Sequence, residues 1–83
     1  MGDKLEPWDV VIYENNYRLV NGTLDYIAAN YITNVNLVLI CNSDFRNQQY
    51  VDIRFLKKVN TPFKDLEEKK TFIRVMNKLK NES

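Results

Sequence analysis

Histidine is absent from the 83 residues, and cysteine occurs once, as Cys41. Without histidine, neither a Cys–His nor a Ser–His–Asp device can be assembled. A lone cysteine permits no internal disulfide and no cysteine metal cluster. Its position at the end of an apolar run fits a buried core thiol. Glycine is confined to Gly2 and Gly22, so no glycine-rich phosphate loop is present. The adjacent carboxylates Glu67 and Glu68 fall on an amphipathic helical pattern and read as solvated. No catalytic residue, metal ligand or cofactor is therefore expected, and the chain is not expected to be an enzyme. No apolar run approaches the ~18 residues that a bilayer span requires. The N-terminus, MGDKLEPWD, is polar and interrupted by Pro7, unlike a secretory signal. These features lead us to expect an intracellular soluble protein that does not engage a membrane.

What is present suits one small globular domain. Apolar residues make up 45% and charged residues 28% of the chain, as in ordinary soluble proteins. A chain of this length buries only about 60% of its unfolded surface, so its core is modest and a partner can add stability. The net charge of +1 sets up no global basic field, although a few local residues can still meet RNA. Asparagine is frequent, with eleven copies.

Residues 1–7 read as an irregular arm, with Trp8 large enough to anchor it on the domain. The β-branched and aromatic run Val10, Val11, Ile12, Tyr13 favours a strand. Asn15-Asn16 suits a tight hairpin turn because asparagine tolerates positive φ, and residues 17–24 form the returning strand. Gly22 interrupts an alternation in which Val20 and Leu24 share its face. A glycine inside a strand marks a sharp bend or a close backbone approach. Residues 23–32 fit two patterns. Leu24, Ile27, Ala28 and Tyr31 have helical spacing with Thr23 as N-cap. Alternatively, Leu24 and Tyr26 continue the strand, and residues 28–34 form an asparagine-rich loop. The run Val35 to Cys41 is a strand whose continuity predicts burial on both faces. Residues 42–48 read as a turn. Residues 49–54 alternate as a strand, and residues 55–59 continue it or form another short strand.

The last segment changes character. Thr61-Pro62 or Asp65 starts a helix, and Glu68 stands at capping-box spacing from Asp65. Leu66, Phe72, Ile73, Met76 and Leu79 share one face of it, opposite lysines and Glu67. We expect this face to pack on the sheet rather than on a partner. Residues 61–83 carry six basic and four acidic side chains, against six and seven in residues 1–60. The lysines read as a solvated face, with a basic RNA-facing surface as the alternative.

Two signatures carry a family resemblance. Val20-Asn21-Gly22-Thr23-Leu24 has the form apolar-x-Gly-x-Leu and follows a turn at Asn15-Asn16. Val35-Asn36-Leu37-Val38-Leu39 has the form apolar-Asn-apolar-x-Leu. Ile53-Arg54-Phe55 approaches a third element, Ile-Arg-Gly. Over residues 10–59 the chain resembles the Sm and LSm family. It departs from that pattern at Phe55, which replaces glycine, and at Ala28, near the place of an expected acidic residue. The loop before Asn36 is longer than usual, little room remains for an N-terminal helix, and a C-terminal helix is added.

The resemblance implies a mainly β domain over residues 1–60, a strongly bent five-stranded antiparallel sheet forming a small open barrel. Residues 61–83 add the C-terminal amphipathic helix, packed on or next to it. It also implies a non-enzymatic subunit of an RNA–protein complex, in the nucleus, the cytoplasm or both. Such a subunit pairs with other Sm-like chains through strand edges, in RNA processing, mRNA splicing or snRNP assembly. The residues implied at the protein interface are Tyr50, Val51, Ile53, Phe55, Leu56 and Val59. Asn36 and Arg54 match positions that hold single-stranded RNA, with Tyr31 and Asn34 as loop neighbours. An asparagine offers donor and acceptor to a base edge, and an arginine offers a charged planar stack. Against this, Asn36 can bond its own backbone and Arg54 can pair with Asp52 or Asp44. Gemin-type Sm-like proteins use the fold for protein pairing. The alternative is a small α+β protein-interaction module without RNA contact.

Overall fold

The structure is a computed structural model that describes residues 5–22, 26–30 and 35–82. Among the described residues, six strands, one 3-10 turn and one helix follow in order: β1 (Val10–Tyr13), β2 (Asn16–Val20), β3 (Tyr26–Asn30), β4 (Val35–Cys41), β5 (Gln49–Asp52), the turn Ile53–Phe55, β6 (Lys57–Lys58) and α1 (Leu66–Glu82). All strand pairs are antiparallel. β2 and β3 both pair with β4, at Leu19↔Cys41 and Tyr26↔Val38 respectively. They act as two arms of one bent strand. Taken so, the sheet has five members in the order β6-β1-β2/β3-β4-β5 and curls into a half-barrel. The expected mainly β fold with a C-terminal helix and a strongly bent sheet is what the chain adopts.

Local differences from the sequence expectations have physical causes. The first hairpin turns at Glu14 and Asn15, one residue earlier than Asn15-Asn16. Both residues have positive φ, 50° and 68°, and Tyr13 pairs with Asn16, the arrangement that matches strand twist in a two-residue loop. The returning strand stops at Val20 rather than continuing past Gly22. Asn21 still donates to the Leu39 carbonyl at 2.9 Å, and the ladder resumes at Tyr26 opposite Val38. Leu24 and residues 31–34 lie outside the described residues. The helical alternative for residues 23–32 fails at Tyr26–Asn30, which is strand. The strand also runs beyond Ile27 to Asn30, because β4 is long enough to pair with it as far as Val35.

Gly22 supplies close approach. The Trp8 indole occupies the space where a Cβ on Gly22 would stand. Trp8 also donates its backbone N–H to the Val20 carbonyl at 3.2 Å. The arm is thereby anchored through Trp8, as expected, and Leu5 is buried beside the sheet.

Alternation divides the apolar residues between the two faces. Val11, Val20, Val38, Ile40 and Val51 form one buried cluster with Leu5, and Tyr13, Ile53 and Leu56 pack at its margin. Val10, Leu19 and Cys41 point to the other face, where Ile73 of α1 covers them. β4 is therefore buried on both faces at Val38, Ile40 and Cys41, while Leu37 and Leu39 are half-buried.

Helix α1 begins where the capping pattern predicts. The Asp65 carboxylate accepts the Glu68 N–H at 2.9 Å, and the Glu68 carboxylate accepts the Lys64 N–H at 3.2 Å. Internal packing is also what the helix does, through Leu66, Phe72 and Ile73. Phe72 meets Tyr17 and Phe63 edge-on, with ring centroids 5.2 and 5.0 Å apart. Leu79 is the exception to the expected face, being 55% exposed. The side that meets the sheet runs through Ile73 to Asn77, and Leu79 lies round the helix from it.

Candidate functional site

Three of the described strands leave one side unpaired: β3, which pairs only with β4, and the two end members β5 and β6. Among the described residues β5 pairs only with β4, and β6 only with β1. An unpaired edge is a row of backbone donors and acceptors that another strand can complete. The β5 edge is four residues long; β6 itself is two, and the Val59 N–H extends its ladder to the Val10 carbonyl at 2.9 Å.

The residues between these edges are set by one carboxylate. Asp52 ends β5 and is 8% exposed. Its Oδ1 accepts the Arg54 N–H at 2.9 Å, which caps the 3-10 turn. Its Oδ2 accepts Arg54 Nε at 3.0 Å and Nη2 at 2.6 Å. The strand expected over residues 49–54 therefore stops at Asp52, where side chain replaces ladder as the backbone's partner. The two charges shift each other's protonation. Hydrogen bonds from Arg54 hold the Asp52 carboxyl below its ordinary range, and those to Asp52 raise the guanidinium further. Arg54 nevertheless leaves 70% of its side chain in solvent. Of its two weighed partners, Asp52 rather than Asp44 holds it; Asp44 instead pairs with Arg46 at 4.0 Å.

The candidate interface residues separate by exposure. Tyr50 is 43% and Phe55 64% exposed. Val51 is buried in the first cluster, with Ile53 and Leu56 packed against it, and Val59 packs beneath α1. Of the six, Tyr50 and Phe55 are exposed, Val51 is buried, and Ile53, Leu56 and Val59 are half-buried. Of the candidate RNA residues, Asn36 pairs with Ala28 in the ladder. Tyr31 and Asn34 lie outside the described residues. The structure thus brings no described partner to Arg54 from that group.

Beside Arg54, an open cleft of about 440 Å³ has Leu5, Ile53 and Leu56 in its lining, together with Lys57 and Lys58. Its positive charge is partly cancelled on site. Arg54 faces Asp52, and Lys58 Nζ is 3.5 Å from the Asp9 carboxylate. No match to the chain emerged among the known families, curated proteins or solved structures compared with it.

Sequence reasoning missed Arg18. Its guanidinium donates to the Cys41 carbonyl at 3.3 Å, the Asn47 carbonyl at 2.7 Å and Gln49 Oε1 at 3.4 Å. It therefore braces both ends of the loop that leads into β5. Phe45, at the tip of that loop, has φ 65° and lies 5.4 Å from the Trp8 ring and 4.9 Å from Lys70 Nζ. A basic residue in a strand, set among apolar neighbours, was the available signal for Arg18; nothing local distinguishes Phe45. Cys41 is fully buried, and burial pushes its thiol up from the ordinary value. No helix among the described residues is long and apolar enough to cross a membrane.

Proposed function

We propose that the chain is a non-enzymatic, Sm-like subunit that joins other Sm-like chains through its strand edges, within an RNA–protein complex of RNA processing or snRNP assembly. The observation that carries this reading is the pair of open edges, β5 and β6, at opposite ends of one strongly bent sheet. Such a subunit offers a donor edge and an acceptor edge at the same time, so pairing can propagate from chain to chain. The Gly22, Asn36 and Arg54 signatures supply the family direction of the proposal.

Within that reading, protein pairing is favoured over RNA contact by this chain. The support is the Asp52–Arg54 pair: the cation that would meet RNA is held by a carboxylate 2.6 Å away. A nucleic-acid phosphate has to compete with that carboxylate, and the counterion-release gain from Arg54 is correspondingly reduced.

Sedimentation of the protein alone and mixed with purified Sm-like chains tests the assembly reading. A stable complex of defined mass is expected in the mixture. A monodisperse monomer under every combination removes the proposal. Ultraviolet crosslinking to a uridine-rich single strand then addresses RNA. Equal crosslinking of the wild type and Arg54→Ala supports the protein-pairing branch, and a loss on substitution supports RNA contact through Arg54.

A further inference from the structure

Of the eleven asparagines, Asn21 alone stands before a glycine. An asparagine so placed cyclises most readily, because the glycine has no side chain to hinder its backbone nitrogen or restrict its motion. Here the dipeptide follows β2 and is half-buried. Two contacts hold it. The Asn21 N–H donates to the Leu39 carbonyl at 2.9 Å, and the Trp8 indole fills the space where a Cβ on Gly22 would stand.

Trp8 reaches that place against its own backbone preference. It is the third residue of the turn Glu6–Asp9, which the Asp9 N–H closes on the Glu6 carbonyl at 3.1 Å, and its φ is 64°. A turn with proline second and positive φ third ordinarily takes glycine or asparagine at the third place. A bulky side chain there is strained and persists only when its surroundings hold it. Three elements do so. The Trp8 N–H donates to the Val20 carbonyl of β2 at 3.2 Å, and the Trp8 carbonyl accepts Lys69 Nζ of α1 at 2.7 Å. The ring lies 5.4 Å from that of Phe45, in the loop after β4. The cover over Gly22 is therefore a tertiary one, kept in place against local strain.

We propose that Asn21-Gly22 is a deamidation site whose rate Trp8 governs. The reaction consumes only water. The Gly22 nitrogen loses its proton and attacks Asn21 Cγ; the bond from Cγ to the carboxamide nitrogen breaks, and that nitrogen leaves as ammonia. The product is a five-membered succinimide. Water opening the ring at Cγ leaves an ordinary aspartate. Water opening it at the main-chain carbonyl leaves Gly22 joined through Cγ, an isoaspartate with an extra methylene in the main chain. Ring closure swings the Gly22 nitrogen onto Cγ. The Leu39 bond anchors Asn21 while the indole stands against Gly22, so the swing has to displace Trp8. Local opening of the arm then sets the rate. The longer main chain of the isoaspartate cannot keep both the Leu39 bond and the Trp8 seat, so modification in turn undocks the arm. The site lies apart from β5 and β6, and the proposal holds whether or not those edges pair with Sm-like chains.

The test incubates the whole folded chain at mildly alkaline pH beside a synthetic peptide of residues 17–24, the unguarded reference. Peptide mapping by mass spectrometry follows the amide-to-acid mass gain at Asn21, and isoaspartyl methyltransferase labelling identifies the isoaspartate. Asn21 in the folded wild type is expected to react about tenfold or more slowly than in the peptide. Trp8→Ala should recover most of that difference. Lys69→Met removes the bond to the Trp8 carbonyl but keeps the indole, and should give an intermediate rate. Phe72→Ala, which destabilises the fold from the helix side, should leave Asn21 near its wild-type rate. Fluorescence of the single tryptophan should shift to longer wavelength in step with isoaspartate. Equal rates in the folded wild type and the peptide, equal rates in the wild type and Trp8→Ala, or a rise in Phe72→Ala as large as that in Trp8→Ala overturns the proposal.

Discussion

The side chain of Asn77 on α1 bonds both backbone groups of Tyr17 on β2. Its Oδ1 accepts the Tyr17 N–H at 2.8 Å, and its Nδ2 donates to the Tyr17 carbonyl at 2.9 Å. The β2–β4 ladder ends at Leu19↔Cys41, so Tyr17 lies beyond the reach of β4. The carboxamide supplies the donor and acceptor that a neighbouring strand would otherwise provide, and it fixes the helix in register on the sheet.

Asn77→Ala leaves two half-buried backbone groups without partners and should cost about 1–3 kcal/mol. Asn77→Asp should not restore the loss, because a carboxylate cannot donate to the Tyr17 carbonyl. Urea unfolding followed by circular dichroism measures both. A wild-type midpoint for the alanine variant would remove the clamp.

Gly22→Ala puts a methyl group into the space of the Trp8 indole. The ring must move, and overpacking of this kind typically costs about 1–3 kcal/mol. Trp8 is the single tryptophan, so its fluorescence reports the displacement directly. In a Trp8→Ala background the same glycine substitution should cost much less, which a double-mutant cycle detects as coupling. Additive costs would contradict the contact.

Phe72 and Leu79 lie on the same helix but in different surroundings. Phe72 is held between Tyr17 and Phe63, and Phe72→Ala should destabilise the protein by about 2–4 kcal/mol. Leu79→Ala, at an exposed position, should stay within about 0.5 kcal/mol of wild type. Chemical denaturation ranks them, and equal costs would mean that the helix is seated differently.

The Asp52–Arg54 pair predicts a dependence on pH. The folded protein holds Asp52 below the ordinary carboxylate value of about 3.9, chiefly through the Arg54 side chain. A depressed carboxylate stabilises the fold above its unfolded value, and that contribution is lost as pH falls through the folded value. Arg54→Gln should raise the Asp52 value and move the acid limb of the stability curve to higher pH. Carboxyl carbon chemical shifts recorded from neutral pH downward follow the titration; an unmoved Asp52 in the variant would argue that Arg54 does not hold it.

Exposure along β5 and the turn after it was only partly legible in the chain. Tyr50 and Phe55 are exposed, whereas of the residues expected beside them Val51 is buried and Ile53, Leu56 and Val59 are half-buried. Alternation predicts faces only while a strand lasts, and it fails at Ile53–Phe55, where the Asp52 side chain captures the Arg54 N–H and begins a 3-10 turn.

Local chemistry determined the elements. Branched and aromatic residues at Val10–Tyr13 and Val35–Cys41 made strands because those side chains suit a pleated, packed surface. Asp65 and Glu68 started the helix because capping acts across a single turn. Each depends on neighbours a few residues apart, which the sequence by itself contains. Tertiary structure alone decided that Gly22 makes room for Trp8 rather than supplying a positive φ, and that Asn77 completes the edge at Tyr17, sixty residues away. It also decided which side of α1 the sheet covers and which side stays in water. Those outcomes depend on how separate elements meet once the chain has bent, when burial and backbone pairing between distant residues outweigh local preference.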